Sequence, residues 1–230
     1  MRHMTTLDRD ILEMAEYWGE RKTCWLDAAS DEFQACVQPC SMSRERPTSR
    51  YVSMVNTYFT EWVLFERPLA YGRTPLQLYI DRVADGVSSG ARDRLRQVER
   101  TQFFSRFAIL EKDERLYRAV LSDVRTGRGY EVIDPVLCTT QRWRDGTIAE
   151  RIACVDGVWR PVGQARLYDR APAHHPYAVA PGEELGEGEA SDALASSYYL
   201  RLLRDVLGVE GRYASTLKFV EVEEDPLHGA

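Results

Sequence analysis

The chain contains no apolar run approaching ~18 residues, which excludes a transmembrane helix of ordinary length. It opens on MRHMTTLDRD, polar and acidic, without the apolar segment of a signal peptide, so a cytoplasmic location is expected. Lysine is scarce. Only Lys22, Lys112 and Lys218 occur and every other basic residue is arginine, a bias that genome base composition alone can produce. Histidine is scarcer where it would matter. His3 and His228 lie at the ends and His174-His175 sit in a Pro/Gly-rich stretch, so a Ser-His or Cys-His nucleophile has no well-placed base. Phosphate-binding loops of the GxxxxGK[ST] type, a GxGxxG turn between strand and helix, GxSxG and HExxH are all missing. The five cysteines (24, 36, 40, 138 and 154) are an odd number without a secretory context, which predicts reduced thiols. Cys24 and Cys36-x3-Cys40 supply three zinc-type ligands and nothing nearby completes the set. No spacing singles out a carboxylate pair, and Asp123 reads as a turn residue. No catalytic residue, metal site or cofactor is therefore assigned.

What is present begins with 230 residues, 44% hydrophobic and 29% charged, enough for a sizeable core. The net charge of −6 is atypical of a nucleic-acid binder and is unevenly spread. Residues 181–230 hold eleven of the 36 acidic and four of the 30 basic residues, which leaves the body near +1. The organising stretch is Tyr51 to Asp81. Tyr51, Met54, Val55, Tyr58, Trp62 and Phe65 mark one helical face, and Phe59, Val63 and Leu64 cover much of the remainder, so a buried helix is predicted. Gly72-Arg73-Thr74-Pro75-Leu76-Gln77 then reads as a turn, an N-cap, a proline at the first helical position and a capping box.

Before that stretch, Leu7, Ile11, Met14, Ala15 and Trp18 predict a helix starting near Thr5 or Thr6. Trp25, Ala29, Phe33, Cys36 and Val37 predict a second, over Thr23–Val37. Beyond it, Ser88 or Ser89 starts a helix with Leu95 and Val98 inward and Arg92, Arg96 and Arg100 along one outer row. At Gln102 the period changes to two. Strands are predicted around Phe103–Ile109, Leu116–Leu121, Tyr130–Ile133, Ile148–Val155 and Val158–Val162. Gly127 sits at a left-handed turn position, and Asp156-Gly157 makes a two-residue hairpin that sets Cys154 opposite Trp159. Strands this short favour a barrel or a strongly curled sheet. Its surface offers Arg142, Trp143, Arg144, Arg151 and Arg160, an aromatic-basic mixture that serves nucleic-acid platforms and ordinary barrel rims alike.

The expected fold is α+β: a helical N-terminal half packed on a small five-stranded antiparallel barrel or curled sheet, with a C-terminal helix and a final strand near Ser215–Val222. The segments are 1–102, helical; 103–170, barrel; 171–190, a Pro/Gly/Glu-rich linker or loop; and 191–230, helix and acidic tail.

WVLFERPLAYGRTPLQLYI, the strand-rich FFSRFAILEKDERLYRAVLSDVRTGRGYEVID and the IACVDGVWRPVG hairpin resemble uncharacterised bacterial proteins often found with a C-terminal SEC-C zinc motif. The resemblance covers about residues 50–170. It places Trp62, Phe65, Glu66, Gly72, Arg73, Thr74, Asp123, Thr126 and Gly127 at family positions, with Glu66 where Asp is common. The zinc motif itself is missing, since no cysteine follows Cys154, so its metal dependence does not carry over. The resemblance implies domain architecture and no activity.

These readings converge on a non-catalytic cytoplasmic module that binds another macromolecule, with another protein as the expected partner. Two alternatives stand beside it. One is an RNA- or DNA-binding protein using Arg92, Arg96, Arg100, Arg142, Trp143 and Arg144. The other is an enzyme with Asp/Glu chemistry in a groove between helices and barrel.

Overall fold

The computed structural model describes residues 5–39, 49–82, 86–170 and 198–208. Thr5 starts the first helix. Its hydroxyl accepts from the Asp8 amide at 3.1 Å while Asp8 Oδ2 accepts from the Thr5 amide at 2.9 Å, so two donors left over at a helix start are satisfied reciprocally. Helix α1 spans Thr6–Glu20 and buries Leu7 and Met14. A 3-10 turn, Lys22–Cys24, precedes α2 at Leu26–Val37, where a continuous helix from Thr23 was expected. Trp25 makes the break: its backbone is non-helical (φ −145°), and its indole N–H donates to the Trp18 carbonyl at 3.2 Å.

Helix α3 spans Ser49–Phe65, and only its end is buried all round, from Glu61 through Trp62, Val63, Leu64 and Phe65, with Tyr58 buried one turn earlier. Val52 and Thr60 are exposed, so the all-round burial read from the sequence applies only to residues 61–65. Helix α4 (Pro75–Arg82) begins at the expected capping box, with the Thr74 amide donating to Gln77 Oε1 at 3.1 Å. Helix α5 (Ser89–Thr101) begins at Ser88 and buries Ala91, Leu95 and Val98.

The strands are β1 (Phe103–Asp113), β2 (Arg118–Asp123), β3 (Gly129–Ile133), β4 (Thr147–Val155), β5 (Val158–Pro161) and β6 (Leu167–Asp169). They run β1-β2-β3-β5-β4 and close through β1–β4, giving a five-stranded barrel to which β6 adds on β4. The expected register holds at Cys154 opposite Trp159 and Val155 opposite Val158. Several features differ from expectation, the added strand β6 and the extension of β1 to Asp113 among them. One pairing, β3–β5, is parallel and consists of the single pair Val132–Trp159, so the barrel is mixed. The second strand also starts later, at Arg118, because Leu116 lies in the preceding turn.

Alternation along the strands separates two surfaces. Phe107, Ile109, Ala119, Leu121, Tyr130, Val132, Ile148 and Ile152 fill the barrel, joined by Leu137 and Cys138 from α6 (Pro135–Thr139). Phe104 and Ala149 face outward into a core with α2, α3 and the last described helix, α7 (Tyr198–Leu207). Ala153, Val155 and Val162 face a second core built by α1, α3, α4 and α5. Tyr199, Leu202 and Leu203 of α7 are buried as expected, whereas Val206 is half-buried. The expected linker, final strand, acidic tail and Cys40 lie outside the described residues. Among the described residues no helix is long and apolar enough to cross a membrane.

Candidate functional site

Among the described residues, charged side chains are most concentrated at the seam between helices and barrel. Strand β4 is buried at every residue but the half-buried Cys154, so the adjacent pair Glu150-Arg151 sends one charge into the barrel and the other out to the helices. The Arg151 guanidinium lies at the centre of the helix side. Nε donates to Glu61 Oε1 at 3.1 Å, Nη2 to Glu66 Oε1 at 2.5 Å and Nη1 to Gln102 Oε1. The rings of Phe65, Tyr199 and Phe104 stand 5.1, 5.4 and 5.8 Å from its central carbon. Burial works against its charge, but Glu66 and Glu61 together more than offset that and hold Arg151 protonated.

Glu61 is fully engaged. Its second oxygen accepts from the Gln164 and Ala165 amides, both at 2.8 Å. Burial still pushes its carboxyl upward, against the pull of Arg151 and the two amides. The amides reach Glu61 only because residue 163 is glycine, where a Cβ would stand 2.3 Å from Glu61 Oε2. Arg151 was expected on the barrel surface. Its burial is a correction, and the cause is that α3 and α7 cover this face of β4. Taking Arg151 away from its buried partners would cost roughly 3–5 kcal/mol. The arrangement joins α3, α5 and β4, and its donors and acceptors are consumed by one another.

A second buried group lies on the barrel side of β4. Asp134 caps α6, its Oδ1 accepting from Val136 N at 2.9 Å, Leu137 N at 3.2 Å and Arg166 Nη2 at 3.1 Å. Arg166 Nε stands 3.5 Å from Glu150 Oε2. Two carboxyls thus share one guanidinium, and Asp134 Oδ2, both Glu150 oxygens and Arg166 Nη1 have no other hydrogen-bond partner. Burial first, then the Asp134 charge, pushes the Glu150 carboxyl up to about 8, with Arg166 pulling the other way. A protonated Glu150 can donate to Asp134, a contact two carboxylates cannot make. Burial, with Asp134 next, also pushes the nearby Cys138 thiol up to about 11, far from the reactive range. Neither of the two described clefts is lined by these groups.

The residues marked by the family resemblance have structural tasks. Trp62 and Phe65 are core side chains, and Glu66 binds Arg151. Gly72 (φ 69°) follows Tyr71 in the turn before α4, and Thr74 caps that helix. Arg73 donates to the Gln77 carbonyl at 3.0 Å and pairs with the Asp81 carboxylate, so it is tied to α4 and does not reach the barrel. Asp123 accepts from Ser105 Oγ at 3.1 Å and from the Arg125 amide at 2.8 Å, which holds the β2–β3 turn. Thr126 accepts from the Arg128 amide, and Gly127 (φ 71°) takes the left-handed position.

The arginine sets read from the sequence fall on separate surfaces. On α5, Arg92 is half-buried, Arg96 stands 3.6 Å from Asp93, and Arg100 Nε donates to the Arg96 carbonyl at 3.2 Å. Arg142 and Arg144 line an open cleft of about 690 Å³ together with Gln141, Asp145 and Arg170. Trp143, between them in sequence, stacks on Tyr168 at 5.9 Å. A second open cleft, about 790 Å³, lies along the β1–β2 hairpin and is lined among others by Tyr117, Val120 and Thr139. At that hairpin the large apolar side chains Leu110, Leu116 and Tyr117 are 60%, 59% and 45% exposed.

Sequence reasoning put Arg151 on the surface and missed Glu150, Arg166, Arg170 and the hairpin triad. For Arg151 and Glu150 a signal existed: TIAERIACV is apolar on both strand faces, so adjacent charges within it must each find a buried partner. Among the described residues no group of three His, Cys, Asp or Glu side chains is arranged to hold a metal ion. No family model, no curated protein and no solved structure matches this chain.

Proposed function

We propose that the protein is a non-catalytic cytoplasmic interaction module whose partner is another protein, docked on the β1–β2 hairpin. The observation that carries this reading is the exposure of Leu110, Leu116 and Tyr117 on one preorganised hairpin. Leu110 is the extra residue of a β-bulge: Ile109 pairs with Leu121 and Glu111 with Val120, so Leu110 is left over. Leu116 and Tyr117 belong to a turn fixed by Asp113, whose Oδ1 accepts from the Arg115 and Leu116 amides at 2.9 and 3.0 Å. Tyr117 takes a left-handed backbone (φ 53°), which is costly for a tyrosine, and its carbonyl accepts from the Asp134 amide at 2.8 Å.

The charges lining the neighbouring cleft are of both signs: Glu111, Asp113 and Glu114 against Lys112, Arg115 and Arg118. An apolar centre with a mixed-charge rim suits a polypeptide, whereas a polyanion needs one sign. Meanwhile the carboxylates at the helix–barrel seam, where acid-base catalysis would be sought, are occupied by Arg151.

The test is site-specific photo-crosslinking from position 116 in cells, compared with the same crosslinker on the exposed face of α5. A discrete protein adduct from position 116, lost when Leu110 and Tyr117 are both changed to Ser, is the expected result. Adducts that are identical at both positions, self-crosslinking only, or turnover of a small molecule unaffected by the hairpin changes would each overturn the reading.

A further inference from the structure

The cleft on the other side of the α6–β4 connection carries positive charge that the protein itself leaves unneutralised. Several arginines meet carboxylates, Arg67 with Glu32 at 2.6 Å, Arg94 with Asp10 at 2.6 Å and Arg118 with Glu131 at 3.4 Å. Among the described residues Arg142, Arg144 and Arg170 have no such partner, although all three line one cleft. The single acid there, Asp145, lies 3.5 Å from the Tyr168 hydroxyl, which donates to it.

The cleft is built. Lys112 reaches from β1 under the 140–146 loop and donates to the Thr140 and Trp143 carbonyls at 3.1 and 2.7 Å, fixing the loop from below. Gly146 (φ 82°) ends the loop against the β6 backbone, where a Cβ would stand 2.3 Å from the Asp169 carbonyl oxygen and 2.8 Å from Arg170 Cα. Only glycine permits that approach, and the approach sets Arg170 beside the loop arginines. Arg144 is steadied by the Gln141 carbonyl and Oε1 at 3.2 and 3.3 Å. Arg142 lies 5.7 Å from the Trp143 ring centroid, and that ring stacks on Tyr168.

We propose that this cleft binds the phosphates of a single-stranded nucleic acid through Arg142, Arg144 and Arg170. Guanidinium groups match phosphate oxygens in pairs, and a positively charged groove is how single strands are held along their backbone. A concave site with three cations matches a few consecutive phosphates of one strand, whereas the two backbones of a duplex need a broader positive face. The site is separate from the hairpin proposed above and does not depend on it.

The experiment is fluorescence anisotropy of the full chain with a labelled short oligouridylate. Three single-strand phosphate contacts predict a log-log salt slope of about −2, so affinity falls roughly twentyfold between about 50 and about 200 mM salt. The combined Arg142→Ala, Arg144→Ala, Arg170→Ala variant is expected to lose this binding, while Arg96→Ala with Arg100→Ala on α5 keeps it. Circular dichroism of both variants checks the fold. Gly146→Ala, which displaces the Arg170 backbone without removing charge, should weaken binding at least tenfold. Absence of binding at low salt, or unchanged binding by the triple variant, overturns the proposal. So does competition by inorganic phosphate as effective as by unlabelled oligonucleotide, which marks a free-anion site. Equal binding of a labelled polyglutamate overturns it in favour of an acidic protein partner.

Discussion

Glu150 stands between Ile148 and Ile152 on the barrel face of β4, and its chemistry is set by what surrounds it there. Asp134 and Arg166 face it from the α6 cap and from the segment before β6, and Glu61 adds a weaker negative field from the far side of β4. Its pKa is raised to about 8 in the folded protein. In the unfolded chain it titrates at about 4.3. The folded state therefore keeps a proton that the unfolded state gives up. Stability from this group is full below the unfolded value and declines as pH rises towards the folded one, by at most about 1.4 kcal/mol per pH unit. Glu150→Gln keeps the shape and the donor without the titration. Urea midpoints measured from pH 5 to pH 8 are expected to fall less steeply in this variant than in the parent, with the largest gain at pH 8. Parallel slopes in the two proteins would count against a proton held on Glu150.

At the scale of elements, the weakest closure of the barrel is β3 against β5, a single backbone pair. What holds the seam is aromatic. Tyr130 of β3 and Trp159 of β5 meet edge to face at 4.9 Å, and Phe103 of β1 packs on both, at 5.4 and 6.1 Å. Such pairs contribute beyond their buried area, and here they stand in for missing ladder hydrogen bonds. Trp159→Ala is expected to destabilise the fold by about 2–4 kcal/mol, somewhat under the range for a fully buried tryptophan. Hydrogen exchange should then show β3 amides losing protection before those of the β1–β2 ladder. Uniform loss across all strands would mean that the seam is held by something else.

At the scale of the whole molecule, helices and barrel share their cores. Phe104, Ala149, Ala153 and Val155 belong to strands but pack among helical side chains, and Arg151 ties both layers through Glu61, Glu66 and Gln102. Removing either layer would expose apolar surface and strand buried charges in the other. Chemical denaturation followed by far-ultraviolet circular dichroism and by tryptophan fluorescence is therefore expected to give one coincident transition. Two separated transitions would show that the helical and barrel segments fold independently.

Much of the fold was readable because it rests on local rules. The Thr74–Gln77 capping box, the Asp156-Gly157 hairpin with Cys154 opposite Trp159, and the buried half of α3 are all written in neighbouring residues, whose spacing and turn chemistry act over a few positions. The candidate sites were not, because they are made by juxtaposition. Arg73 stood out only through the family resemblance, and its partner, Asp81, lies eight residues away on α4. Arg151 looked like a surface residue and is buried by helices drawn from both ends of the chain. Arg170 joins Arg142 and Arg144 only because Gly146 lets two backbones touch, and Leu110, outward by simple alternation, is exposed because no described element covers that end of β1. Periodicity reports which face of an element is apolar. Which charges meet across those faces depends on sheet closure and on the order in which distant segments pack, and that information exists only in the assembled fold.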